Sequence, residues 1–131
     1  MIFKCAASFL FFGVLFLLGC SLEKTISAAS VCDKIVAAGI GKNCTRDKPM
    51  ALGARARNKY NFDLTGVPGK GGAVFDFSTQ EDYNATVNAF AEVAFLAGPH
   101  RYGNSKTKIF VQMNSGASLN DGDLVKNIVE K

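Results

Sequence analysis

Residues 5–20 carry no charge and almost no polar group, and this run stands at the front of a chain of 131 residues. Met1-Ile2-Phe3-Lys4 places one positive charge ahead of it, and Cys5 to Leu18 is then dominated by phenylalanine, leucine and alanine. A basic start and an apolar stretch of this length are the two leading parts of a secretory signal. The run also inflates the 48% hydrophobic share of the whole chain. The remainder of the chain is mixed enough to fold and too apolar to be disordered, and its length suits one domain. No collagen-like period or heptad run is present, and four cysteines are too few for a disulfide-dense miniprotein.

The apolar run ends in Leu17-Leu18-Gly19-Cys20, which resembles the lipobox of bacterial lipoproteins. There, small residues precede a cysteine that is acylated and becomes the new N-terminus. The resemblance covers only the signal and Cys20. It implies that residues 1–19 are a lipoprotein signal peptide, Cys20 a lipidation site and residues 20–29 a tether. Residues 30–131 would then form a domain anchored in a bacterial cell envelope, outside the cytoplasm. Ser21, in place of Asp, implies transit to an outer membrane where the cell has one. Two or more acyl chains, at ~0.8 kcal/mol per buried methylene, hold such a protein stably on a bilayer. Two alternatives stay open. One is an uncleaved anchor, although the 18 residues between Lys4 and Glu23 are short for a span. The other is ordinary cleavage near Ser27-Ala28-Ala29, where small residues recur.

On the lipoprotein reading Cys5 leaves with the signal and Cys20 takes lipid, so Cys32 and Cys44 remain. An even pair in an oxidising compartment is expected to form a disulfide, worth ~3 kcal/mol for a loop of this size. Neither cysteine sits in a CxxC pattern and the one histidine is distant in sequence, which argues against a metal site. No cofactor motif is present.

Hydrophobic periodicity predicts an α+β domain. A first helix starts at Ser30, with Asp33 as capping-box partner and Val31, Cys32, Ile35 and Val36 on one face. Gly39 and Gly41 end it, and a short helix is expected near Ala51–Lys59. Tyr60–Leu64 and Gly72–Phe77 read as strands joined by a hairpin loop at Val67–Gly72. That loop lacks the Gly-Lys-Ser/Thr of a phosphate loop. Ser78, with Glu81, caps a helix to Ala97 whose core face is Tyr83, Val87, Phe90, Ala94 and Ala97, widened by Ala91 and Phe95. Gly98-Pro99 stops it. Lys108–Met113 is a third strand, and Asn120 with Asp123 caps a last helix. The expected order is αββαβα, a two-layer domain with a three-stranded sheet. The 78–97 helix would act as a crossover that makes its flanking strands parallel.

Residues 1–19 include Lys4, so their removal leaves a net charge one unit below the +4 of the whole chain. Two basic clusters stand out. Lys42, Arg46, Lys48, Arg55, Arg57 and Lys59 share residues 42–59 with Asp47 alone, and His100, Arg101, Lys106 and Lys108 bracket the loop before the third strand. A solvated surface that balances the acids explains them without a ligand. The functional reading is an anion-binding face with Arg55, Arg57, His100 and Arg101 as candidates. Its partners would be an anionic envelope polymer, lipid headgroups or an acidic protein. Nucleic acid is excluded by the small net charge, the absence of a recognition motif and the exported location. His100-Arg101-Tyr102-Gly103 also admits a small hydrolase or transferase, but no GxSxG, HExxH or free reactive cysteine accompanies it. The plainer account is that His100 and Tyr102 seal the core edge while Arg101 pairs with an acid. Asp76 reads as a strand-edge residue and Glu81 as a cap. Asn43-Cys44-Thr45 and Asn84-Ala85-Thr86 match the glycosylation sequon, which a bacterial setting discounts. The leading expectation is a non-enzymatic binding module of the envelope. A purely structural envelope protein is the further alternative.

Overall fold

The computed structural model describes residues 26–131. The signal peptide expected at 1–19, the expected lipidation site Cys20 and the first part of the expected tether lie outside the described residues. Helix α1 (Ala28–Ala37) opens the domain, followed by strand β1 (Gly41–Asp47), a 3-10 turn (Ala51–Gly53), β2 (Asn58–Leu64) and β3 (Gly71–Asp76). Helix α2 (Gln80–Glu92), the short α3 (Ala94–Ala97), β4 (His100–Asn104), β5 (Ile109–Met113) and α4 (Leu119–Glu130) complete it.

The strands form one antiparallel sheet in the order β1-β2-β3-β5-β4. The three-stranded sheet expected from sequence is therefore corrected to five strands, and the expected order αββαβα to αβββααββα. Both added strands are at the edges, and neither carries the apolar alternation by which strands are found. β1 is Gly-Lys-Asn-Cys-Thr-Arg-Asp, with a register shift between Lys42 and Thr45 and a positive φ of 59° at Asn43. A bulge and charged residues are how an edge strand avoids pairing with other chains. β4 occupies the segment expected to be a loop. Its hairpin with β5 also overturns the parallel crossover. The α2–α3 connection runs from β3 to β4, which are parallel, but β5 lies between them and opposes both.

Alternation along the central strands splits the core in two. Phe62, Leu64, Val74, Ile109, Val111 and Met113 face α1 and α4. Ala73, Phe75, Phe77 and Phe110 face Tyr83 and Phe90 of α2. The result is three layers rather than two. The second helix is also shorter than its periodicity predicts. Val93, at φ −109° and ψ 31°, breaks it, and the rotation puts Phe95 at 83% exposed instead of in the core.

The helix caps lie one to three residues from the expected positions. Ser27 caps α1 in a reciprocal box with Ser30, Thr79 accepts from the Asp82 amide, and Ser118 accepts from the Asp121 amide. The three share a hydroxyl followed three residues later by a short polar residue. That spacing satisfies orphan amides of the first turn, and the neighbours Ser30, Ser78 and Asn120 offered equally good hydroxyls or amides. Residues 27–29, assigned to the tether, thus belong to the domain, and Ala28 is fully buried. The Cys32–Cys44 disulfide joins α1 to β1, with Cα atoms 6.1 Å apart. Among the described residues no helix is long and apolar enough to cross a membrane.

Candidate functional site

The sheet register divides the domain into two ends. Asn58, Asp76, Ile109 and Asn104 are level across β2, β3, β5 and β4. Asp47 beside Lys59 extends that end to β1. The start of α1 is there too, because the Ala28 amide donates to Asp76 Oδ2 at 2.8 Å. This is the end at which the described chain begins. Leu64 and Gly41, and likewise Met113 and His100, mark the opposite end.

Asp76 is the hub of the first end. It is 1% exposed on the third of five strands, not at a strand edge as its sequence suggests. Its carboxylate accepts from the first-turn amide of α1, from Arg57 Nε at 3.1 Å and from Asn58 Nδ2 at 3.0 Å. An acid at a helix N-terminus meets unsatisfied N–H groups and the positive end of the helix dipole. Arg57 is therefore tied to the fold through a buried partner. Arg55 lies outward and pairs with Asp82 at 3.3 Å. Asp47, next along, accepts from Lys59 Nζ at 3.0 Å, from Asn61 Nδ2 and from the Lys48 amide. The Lys59 hydrogen bond, helped by those of Asn61 and Lys48, holds its carboxyl below the usual carboxylate range.

His100 and Arg101 sit at the other end, at the start of β4. Being adjacent on a strand, they point to opposite faces. His100 is 3% exposed beneath α4. Its Nε2 lies 2.9 Å from the Ala117 carbonyl, so this nitrogen carries the proton. In the neutral ring Nδ1 then accepts from Tyr102 Oη at 2.9 Å. Burial, then the nearby Asp123 carboxylate, pushes the Tyr102 hydroxyl above its ordinary pKa. Arg101, on the α2 side, donates from Nε to the Gly98 carbonyl. The four candidate residues do not converge. Arg55 and Arg57 are at one end of the sheet, His100 and Arg101 at the other, and three strand spacings of ~4.8 Å also separate Arg57 from β4. The expected sealing of the core edge by His100 and Tyr102 is found. The expected acid partner of Arg101 is a backbone carbonyl instead.

The two basic clusters of the sequence are each cut by this division. Lys42 falls at the far end with Arg101. Arg46 and Lys48, at the close of β1, join Lys106 and Lys108, in the β4–β5 turn, at the end where α1 starts. The join depends on strand order, which no local pattern carries. At the far end an open cleft of about 320 Å³ lies between Lys42, Asn43, Asp63 and the loop Gly66–Gly69. Asn43 Nδ2 donates to Asp63 across it at 2.9 Å. Among the described residues no three His, Cys, Asp or Glu side chains are grouped to hold a metal ion. Compared with known proteins, the chain matches no family model, no curated protein and no solved structure.

Proposed function

We propose that this protein is a lipid-anchored module of the bacterial cell envelope, held by acyl chains on Cys20, that binds an anionic partner without catalysing a reaction. The observation that carries the anchor is the place of Ser27 and Ala28. Ordinary signal cleavage near Ala29 would discard the cap of α1 and the amide that Asp76 accepts from. A mature chain that keeps them starts upstream, and Cys20 with its Leu17-Leu18-Gly19 prefix is the processing site available there.

The binding role without chemistry is favoured by how the chemical-looking groups are used. Both nitrogens of His100 are engaged inside the fold, and Arg57 serves Asp76. Lys48, Lys106 and Lys108 pair with no carboxylate among the described residues, and such cations suit electrostatic contact better than acid–base work.

Intact mass of protein extracted from membranes is expected to show a chain beginning at Cys20 with added acyl mass. Cys20→Ser is expected to abolish both the added acyl mass and the chain that begins at residue 20. A product beginning at Ser30, or one still beginning at Met1, overturns the anchor.

A further inference from the structure

We infer that the end of the domain from which the N-terminal chain leaves lies flat on the bilayer, held to anionic lipid headgroups by Lys48, Lys106 and Lys108. This rests on the anchor proposed above and adds the partner and the orientation.

Two observations carry it. The first is an imbalance of charge between the ends. Where α1 begins, Asp47, Asp76 and Asp82 each have their own cation, Lys59, Arg57 and Arg55 respectively. Lys48, Lys106 and Lys108 have no carboxylate partner among the described residues, Arg46 reaches only the Asn58 amide oxygen, Glu130 at the close of α4 has Lys126, and Glu81 is an acid there without a cation. At the far end Lys34, Lys42, Lys70 and Arg101 are offset by Asp33, Asp63, Glu92, Asp121 and Asp123. The surplus cations are therefore at one end, and the antiparallel sheet spreads them from the β1 edge to the β4–β5 turn.

The second is the exit of the chain. Ser21 to Thr25 separate Cys20 from Ile26, and a chain of that length reaches at most ~20 Å when extended. The leash keeps the domain near the membrane and is longer than the ~8 Å screening length, so it does not by itself select which side faces the lipid. A lysine-rich end beside the leash does, because those charges can enter the attractive layer of an anionic surface while the anchor is held. Lys108 adds a local detail. It holds φ at 55°, a left-handed conformation that costs a side chain energy, at the tip that would touch the headgroups.

The test uses the protein with its native N-terminus, reconstituted into phosphatidylethanolamine vesicles containing one-quarter phosphatidylglycerol, and separately into phosphatidylcholine vesicles. Acylation of each lysine by an amine-reactive ester is read by mass spectrometry. On the anionic vesicles Lys48, Lys106 and Lys108 are expected to react about threefold more slowly than on neutral ones, with Lys42 and Lys70 unchanged. Salt near 1 M, where the screening length is ~3 Å, should remove the difference. The exposed-turn double variant K106E/K108E, its fold checked by circular dichroism, should lose the protection of Lys48. Equal reactivity at the two ends, or protection centred on Lys42 and Lys70, overturns the inference. So does protection by dextran sulfate in solution with none on the vesicles, which would make the partner a polymer. The anchor is read separately. A Cys20→Ser chain that sediments with neutral vesicles as well as the parent overturns the anchor and not the charge-selected orientation.

Discussion

At the scale of single residues, the polar groups inside the domain do more than its surface charges. Asp76 gathers an amide of α1, a guanidinium and a side-chain amide, so Asp76→Ala leaves all three without their acceptor. A loss of about 2–4 kcal/mol is expected from urea unfolding, with Asp76→Asn intermediate. Thr86 offers the converse. Its hydroxyl is buried with no hydrogen-bond partner among the described residues. Thr86→Val keeps the shape and removes an unpaired polar atom, and should raise stability by up to about 1 kcal/mol in the same assay. Neither was legible in the sequence. Asp76 ends a strand-forming run and resembles any strand terminus, and its partners are 18 to 48 residues away. His100 was readable in part, since a lone histidine next to Tyr102 at an element boundary is an ordinary core-edge pair.

At the scale of elements, close approach and cross-linking hold the helices to the sheet. Gly122 lies on the buried face of α4, directly over His100 and Tyr102. A Cβ there would sit 2.7 Å from His100 Nδ1, besides meeting the Tyr102 hydroxyl. Alanine is the better helix former by about 1 kcal/mol, so an exposed glycine-to-alanine change would stabilise. Here Gly122→Ala is expected to destabilise by about 1–3 kcal/mol, because α4 must move off β4. The disulfide ties α1 to an edge strand that buries little of its own surface. Cys32→Ala with Cys44→Ala should cost about 3 kcal/mol, and amide exchange should rise first in β1. Elements with an apolar stripe were placed well from sequence: α1, β2, β3, β5 and α4 all stand within a few residues of expectation. The edge strands were not, because most of their side chains are left exposed or half-buried on both faces, and a strand that is little covered shows no apolar alternation.

At the scale of the whole molecule, different groups shape the acid and the alkaline limbs of the stability profile. Asp47 has a folded pKa below its unfolded one. Its contribution is present above about pH 4 and is lost as pH falls through the lower folded value, so Asp47→Asn should flatten the acid limb of a stability profile. Tyr102 and Tyr83 are raised, each chiefly by burial. Their contribution is complete below about pH 10 and is lost as pH rises through the higher folded values. Thermal melts should therefore fall steeply in alkali, less so in Tyr102→Phe, which cannot ionise at that site. The capping hydroxyls, the apolar faces and the cysteine pair are short-range features, and they sufficed for an α+β domain with a Cys32–Cys44 bridge. Strand order was beyond them. The backbone hydrogen bonds that pair one strand with another are the same for every sequence, so which strands become neighbours follows from how the helices cover the sheet. That order decided that β5 would separate β3 from β4, that Arg55 and Arg57 would lie far from His100 and Arg101, and that lysines scattered along the chain would meet at one end.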